Sequence, residues 1–283
     1  MSFDTDKCII CKILDKEFAH KLLDGEVFMR PLFEFGSWDI KHKSNDETVN
    51  NNYRGDLFEG VVAVYGDVTK NPAFNGFPQN LLSVIETSVN IEASELQYFK
   101  IYSLYKLKYH DGHFVKPDNR IKQFGDYAVV FTDFHEFLRR LLKRIIGVNQ
   151  DKCVFYFDKV KYFNESENKR LIPIFSKPDS YKWQNEMRIA YSRLIETKDK
   201  ISGISKNMLD FDLNRQIFNI GDIRDIAYLI NIDNLVNAKL PANKRYRLLY
   251  SKERNTTAEL IIKDTRKALK DLKQLAIKPI FTI

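Results

Sequence analysis

Short segments rich in aromatic and β-branched residues recur along the chain, and they do not alternate regularly with helices. The longest is residues 97–109 (QYFKIYSLYKLKY), and residues 127–132 (YAVVFT) and 153–163 (CVFYFDKVKYF) share its character. Such residues favour strands, whereas a doubly wound nucleotide-binding sheet needs a helix between successive strands. The pattern therefore predicts an α+β fold with a mixed, largely antiparallel sheet core and a few dispersed helices.

Two helices are predicted within this strand-rich body. The first spans residues 16–24 and ends at Gly25, because glycine readily adopts the left-handed conformation that closes a helix. The second follows Asp133, whose carboxylate can accept a hydrogen bond from the backbone three residues on, and its apolar stripe continues to Gly147. Both patterns place a helix beside a predicted strand, as an α+β architecture requires.

The positive charge of the chain is concentrated at its C-terminal end. The whole sequence has 45 Lys+Arg against 38 Asp+Glu, a net charge of +7, and residues 239–283 alone carry a balance of +8. We therefore predict an α+β body over residues 1–238 and a basic helical C-terminal module over residues 239–283, built on an amphipathic helix at residues 257–275. The alternative, in which this module packs on the body as one domain, stays open.

The basic face of the C-terminal helix predicts the kind of partner that the chain meets. Lys263, Lys267 and Lys270 lie on its polar side, where they would accelerate association with an acidic protein surface. Nucleic acid is a weaker candidate because these lysines have no stacking aromatic residues beside them. A solvated surface helix is the plainer alternative, and a homo-oligomer is also compatible with the sequence. No run of about 18 apolar residues is present, so a membrane span is excluded.

The cysteines give no sign of a metal centre. Cys8 and Cys11 have the spacing of half a zinc site, but the sequence offers no second C-x-x-C or H-x-x-x-H pair. We predict that both pack in the core as small apolar residues, with no metal and no cofactor. Three cysteines also argue against a disulfide framework and favour a reducing, cytoplasmic location. The phosphate-binding loops and nucleophile motifs of NTPases, dehydrogenases, serine hydrolases and zincins are absent.

A Gln-x-Glu sequence carries the one enzymatic hypothesis. Residues 181–191 are predicted as a strand, on which Gln184, Glu186 and Arg188 share one face and a Glu186–Arg188 salt bridge is the structural interpretation. On a helix, Trp183, Glu186 and Met187 would cluster instead. Gln-x-Glu at the start of a strand also resembles the motif of ADP-ribosyltransferases, in which the Glu stabilises an oxocarbenium-like sugar. The resemblance implies NAD as the substrate and, in chain order, catalytic roles for Arg30 and Ser103 beside Gln184 and Glu186.

A broader pattern touches most of residues 18–226. It combines HKLLDGEVFMRPLFEFG, RGDLFEG and FGDYAVVFT with KPDSYKWQNEMR and IGDIRDI, and it resembles uncharacterised proteins of phages and prophages of low-GC bacteria. The resemblance implies a non-enzymatic protein that binds and inhibits a host defence complex in the host cytoplasm, which is our first functional hypothesis. The ADP-ribosyltransferase-like enzyme is the alternative, and it requires Arg30, Ser103 and Glu186 to converge in one cleft.

Overall fold

The computed structural model describes twelve stretches of the chain: residues 7–35, 61–65, 89–92, 97–110, 113–149, 153–164, 169–170, 173–198, 205–209, 212–237, 249–250 and 258–262. Two α-helices lie wholly within these stretches, α1 (Lys16–Leu23) and α2 (Phe134–Asn149). The strands are β1 (Lys7–Leu14), β2 (Glu26–Pro31), β3 (Val61–Tyr65), β4 (Val89–Glu92), β5 (Lys100–His110), β6 (His113–Phe114), β7 (Tyr127–Phe131), β8 (Cys153–Lys159), β9 (Lys161–Phe163), β10 (Lys169–Arg170), β11 (Ser176–Pro178), β12 (Glu186–Lys198), β13 (Ser205–Leu209), β14 (Gln216–Asn219), β15 (Ala227–Asn231), β16 (Leu249–Tyr250) and β17 (Ala258–Ile262). Short 3-10 helices cover Asn119–Phe124, Pro173–Phe175, Asp179–Gln184 and Ile232–Asn237.

Twelve of the strands form one sheet. Its central order is β15-β7-β1-β5-β12-β8-β17, while β2 and β6 pair with β5, β13 with β12, β14 with β2, and β16 with β1. Every pairing in this sheet is antiparallel. Two smaller units lie beside it, an antiparallel β10-β3-β4 sheet and a parallel β11-β9 pair. The predicted α+β class with a largely antiparallel core is confirmed.

Helix α2 covers one face of the large sheet with its apolar stripe. Phe137, Leu141 and Ile145 are fully buried against residues of β2, β5, β7 and β12. The predicted start is confirmed, because an Asp133 carboxylate oxygen accepts a hydrogen bond from the Glu136 N–H at 3.0 Å. The predicted end at Gly147 is wrong by two residues. The helix continues through Gly147 to Asn149. A Cβ at Gly147 would meet no atom within 4 Å, so no close contact requires glycine at this position.

The turn between α1 and β2 depends on a glycine. Gly25 has φ +98°, and a Cβ there would lie 2.2 Å from the backbone oxygen of Gly221. A side chain is therefore excluded by both the backbone conformation and the close approach of a second chain segment. The predicted helix, its closing glycine and the following strand are all confirmed.

The C-terminal segment departs from the prediction. Ala258–Ile262, the first part of the predicted amphipathic helix, is strand β17 and pairs with β8. β-branched residues such as Ile261 and Ile262 favour strands, and the edge of β8 offers unpaired backbone groups that helical periodicity does not reveal. Strand β16 pairs with β1, so both described pieces of the predicted module extend the sheet of the body. The partner-binding candidates Lys263, Lys267 and Lys270 lie outside the described residues, as does the RGDLFEG segment.

Candidate functional site

The large sheet divides along one edge of β5. Strand β1 pairs with β5 from Lys7 opposite Tyr109 to Cys11 opposite Tyr105, and its residues 11–14 pair with β7. Strand β2 pairs with the same edge of β5 only at Ile101 and Lys100. Within the described part of the chain, no strand pairs with residues 102–104 on this edge. We call this opening between β1 and β2 the β5 gap.

A cavity of about 460 Å³ opens at the β5 gap. Its volume falls within the range of small-molecule sites, which measure roughly 300–1,000 Å³. The cavity wall includes all four residues of the enzymatic hypothesis, Arg30, Ser103, Gln184 and Glu186, together with Lys12 and Lys177. The condition set by the sequence, that Arg30, Ser103 and Glu186 meet in one cleft, is therefore met.

The carboxylate of Glu186 is buried and paired with two cations. It lies 2.7 Å from Arg188 Nε and 2.9 Å from Lys177 Nζ, and the Ser103 side chain is also hydrogen-bonded to it. The Arg188 side chain is fully buried and also donates a 2.7 Å hydrogen bond to the carbonyl of Ile174. Burial opposes ionisation of Glu186, but the charges of Arg188 and Lys177 outweigh it and hold the carboxyl pKa well below its ordinary value. The predicted Glu186–Arg188 salt bridge is confirmed.

Lys177 couples Gln184 to Glu186. Its Nζ donates to Gln184 Oε1 at 2.9 Å as well as to Glu186 Oε2 at 2.9 Å. The strand prediction for Gln184 is wrong, because it ends a 3-10 helix and β12 begins at Glu186. Asn185 between them is left-handed, with φ 39°, and its carbonyl accepts a hydrogen bond from the Lys106 N–H at 3.0 Å. This turn lets both side chains reach the same lysine.

Ser103 and Arg30 reach the cavity from the two neighbouring strands. In the antiparallel register, Ser103 lies opposite Arg188 of β12, and Arg30 lies opposite Ile101 of β5. The Arg30 guanidinium carbon lies 5.4 Å from the ring centroid of Phe28 on the same strand, within the range of a cation–π contact. The structure thus brings residues from positions 30, 103, 184 and 186 to one site.

Three large apolar side chains at the cavity are exposed. Phe18, Phe28 and Ile217 all border it, with exposed fractions of 52%, 37% and 57%. Large side chains of this kind are normally buried, and apolar groups beside a few polar ones are typical of a ligand site. They therefore offer apolar contact surface next to the charged residues of the cavity wall.

Sequence reasoning missed Lys12 and Lys177. Lys12 lies on β1, where its Nζ donates a 2.5 Å hydrogen bond to the Ser103 carbonyl and stands 4.6 Å from the centroid of the Tyr102 ring. Burial, opposed by the negative charge of Glu186 and reinforced by the repulsion of Arg30, lowers the Lys12 pKa to about 8. A single lysine inside the apolar stretch CIICKIL was the available signal, since an interior lysine needs partners.

The cysteines pack as predicted. Cys8 and Cys11 are buried to 1% and 0% exposure, and Cys11 lies in an apolar cluster with Ile9 and Ile13. Among the described residues, no three His, Cys, Asp or Glu side chains come together as candidate metal ligands. No helix in the same part of the chain is long and apolar enough to cross a membrane.

Comparison of the chain with protein-family models, with curated proteins and with solved structures found no match in any of the three. The resemblances to phage proteins and to ADP-ribosyltransferases therefore rest on the sequence motifs alone. The hypothesis of binding to a host protein complex also stays a prediction, because its candidate lysines are outside the described residues.

Proposed function

We propose that the chain binds NAD in the cavity at the β5 gap and cleaves the bond between nicotinamide and ribose, as an ADP-ribosyltransferase does. The convergence of Arg30, Ser103, Gln184 and Glu186 supports this proposal more than any other observation. These residues come from three separate segments of the sequence, and they are the residues that the ADP-ribosyltransferase resemblance names. A non-enzymatic inhibitor does not require them to meet in a cavity.

Glu186 supplies negative charge where positive charge develops in the reaction. When the glycosidic bond breaks, its electron pair leaves with nicotinamide, and the ribose carbon becomes oxocarbenium-like. The acceptor's oxygen or nitrogen then forms the new bond to this carbon and releases its proton to solvent. A carboxylate that is already ionised and held in place stabilises this centre without reorganisation. Lys177 and Arg188 keep Glu186 ionised, and the Ser103 side chain helps to fix its position.

The remaining features of the cavity suit the rest of the dinucleotide. The Arg30 guanidinium is a permanent cation that can pair with a phosphate oxygen of the diphosphate. Gln184, held by Lys177, can present its amide to a ribose hydroxyl or to the nicotinamide amide group. Phe18 and Phe28 at the cavity wall provide apolar surface for a planar base. The diphosphate, one ribose or the nicotinamide amide, and one planar base therefore each have a matching group in the cavity.

The test is nicotinamide release from NAD, measured by chromatography for the wild type, Arg30→Gln and Ser103→Ala. Because these residues come from different strands but face one cavity, each substitution is expected to slow release by at least about tenfold. Arg139→Gln is the matched control, since Arg139 lies on the exposed side of α2 and is not part of the cavity wall. It should release nicotinamide at the wild-type rate.

Two results contradict the proposal. The first is a folded wild-type protein that releases no nicotinamide above the uncatalysed rate, with water or with added protein as the acceptor. The second is release by the wild type that neither Arg30→Gln nor Ser103→Ala reduces, because the reaction would then occur elsewhere in the molecule.

A further inference from the structure

Lys12 occupies the point where β1 leaves β5. Residue 11 is the last of β1 to pair with β5, and the Lys12 side chain reaches across the opening to the Ser103 carbonyl. Within one strand residue, the N–H and the C=O point to the same side, so the Ser103 N–H also faces the β5 gap. Arg30 flanks the other end of the gap, on β2. Two cations and a backbone N–H thus surround one opening.

The charges at this opening favour an anionic ligand. Lys12 and Arg30 both bring positive charge to it, and burial disfavours the charged form of the lysine. Glu186 offsets part of this effect on Lys12, but its carboxylate is also paired with Arg188 and Lys177. An anionic ligand between Lys12 and Arg30 would therefore gain two ionic contacts and would stabilise the charged form of Lys12.

We propose that Lys12 binds the diphosphate of NAD together with Arg30 and that the protonation of Lys12 controls the affinity for the dinucleotide. This inference rests on the proposed function for the identity of the ligand. It adds a residue that the Gln-x-Glu resemblance does not name.

The charge states of Glu186, Cys11, Tyr102 and Tyr105, which surround Lys12, stay constant in the relevant pH range. Glu186 remains ionised because its pKa is lowered, and burial raises the pKa of the Cys11 thiol and of the Tyr102 and Tyr105 hydroxyls, which keeps all three neutral. Arg30 keeps its charge at any pH used for proteins. The other charged groups of the cavity wall are Asp15, Lys21, Glu26, Glu34 and Lys177.

The direction of the pH effect follows from the lowered pKa. Free Lys12 carries its charge below about pH 8 and loses it above. A bound diphosphate raises the lysine pKa, so binding above pH 8 must also take up a proton. Affinity is therefore constant below about pH 8 and falls, by up to about tenfold per pH unit, as the pH rises toward the pKa of the complex.

The experiment measures NADH binding by its fluorescence from about pH 7 to about pH 10. NADH carries the same diphosphate as NAD, the charge of that diphosphate does not change in this range, and its dihydronicotinamide is not released as a leaving group. The variants are Lys12→Met, which removes the charge, and Lys12→Arg, which keeps it at every pH of the range. Lys143→Met, on the exposed face of α2, controls for the loss of one positive charge.

We expect the wild-type affinity to fall above about pH 8 and the Lys143→Met affinity to follow it. Lys12→Met should bind NADH at least about tenfold more weakly at neutral pH and without this pH dependence. Lys12→Arg should bind at high pH as tightly as at neutral pH, which shows that charge and not shape is responsible. All variants are first compared by thermal unfolding, and only folded protein is titrated.

Three results overturn the inference. One is wild-type affinity that does not change across the range. Another is a Lys12→Met variant that keeps both the affinity and the pH dependence of the wild type. If either occurs while the protein still releases nicotinamide from NAD, the role of Lys12 is wrong and the proposed function stands. If NADH does not bind at any pH and no nicotinamide is released, both proposals are wrong.

Discussion

Glu186 and Glu136 each pair with two basic side chains, but one network lies at the β5 gap and the other on the surface of α2. Glu186 is 2.7 Å from Arg188 and 2.9 Å from Lys177, and Glu136 is 2.6 Å from Arg139 and 2.9 Å from Arg140. The distances are nearly the same. The side chains of the first network are at most 8% exposed, whereas those of the second are 23–46% exposed.

This difference in burial assigns the two networks different roles. The Glu136 network needs little explanation, since acidic residues in the first turn of a helix are favourable and exposed pairs add little. The Glu186 network removes three charges from water, which is costly, and an apolar cluster of the same volume would be as stable or more stable. Its charges are therefore better explained by the cavity that Glu186 and Lys177 border than by the stability of the sheet.

The largest effect is expected when the buried network loses a cation. Arg188→Met leaves Glu186 with one partner in a buried site, and we expect it to lower the free energy of unfolding by about 3–5 kcal/mol. Arg139→Met removes one exposed partner of Glu136 and should cost less than about 1 kcal/mol. Urea unfolding of both variants measures this contrast. Similar losses in the two variants would contradict the comparison.

A smaller effect is expected for the coupling between partners. Double-mutant cycles isolate the interaction of Glu186 with Lys177 and of Glu136 with Arg139, using Gln for each Glu and Met for each cation. We expect a coupling of about 1–3 kcal/mol for the buried pair and at most about 0.5 kcal/mol for the exposed one. A coupling near zero for Glu186 and Lys177 would show that their contact does not matter energetically.

The smallest effect concerns acid pH. Hydrogen bonds from Arg139 and Arg140 outweigh partial burial and lower the Glu136 pKa from 4.5 to about 2. A carboxyl group whose pKa is lowered in the folded state stabilises the fold at any pH above its ordinary pKa. This stabilisation is lost as the pH falls through the lowered pKa, so the contribution of Glu136 disappears between about pH 4.5 and about pH 2. The stability difference between wild type and Glu136→Gln should therefore shrink over this window, by less than about 1 kcal/mol. A difference that grows as the pH falls would contradict the assignment.

The features that were predictable from the sequence depend on residues close together in the chain. Gly25 and Asp133 are the examples, since a helix end is determined within a few residues. The start of β12 was missed because a left-handed Asn185 interrupts a segment whose composition favours a strand. Strand β17 was missed because its partner, β8, is about a hundred residues away. The local sequence pattern predicts neither the left-handed Asn185 nor the pairing of β17 with β8.

The candidate site was predictable only as residue types. Gln184 and Glu186 were recognisable as a motif, and Arg30 and Ser103 followed from the resemblance. Their meeting depends on the register that sets Ser103 opposite Arg188 and on the separation of β1 from β5 after Cys11. Register is a long-range property of strand pairing, so the cavity and the role of Lys177 required the structure.

We propose that the buried Glu186 network serves a reaction and that the exposed Glu136 network does not. The most direct measurement is the rate of nicotinamide release from NAD by Glu186→Gln and Glu136→Gln, in protein shown to be folded by circular dichroism. Both substitutions keep the shape of the side chain and remove its charge. We expect a loss of about a hundredfold to a thousandfold for Glu186→Gln and the wild-type rate for Glu136→Gln. Equal rates for the two variants would contradict this proposal.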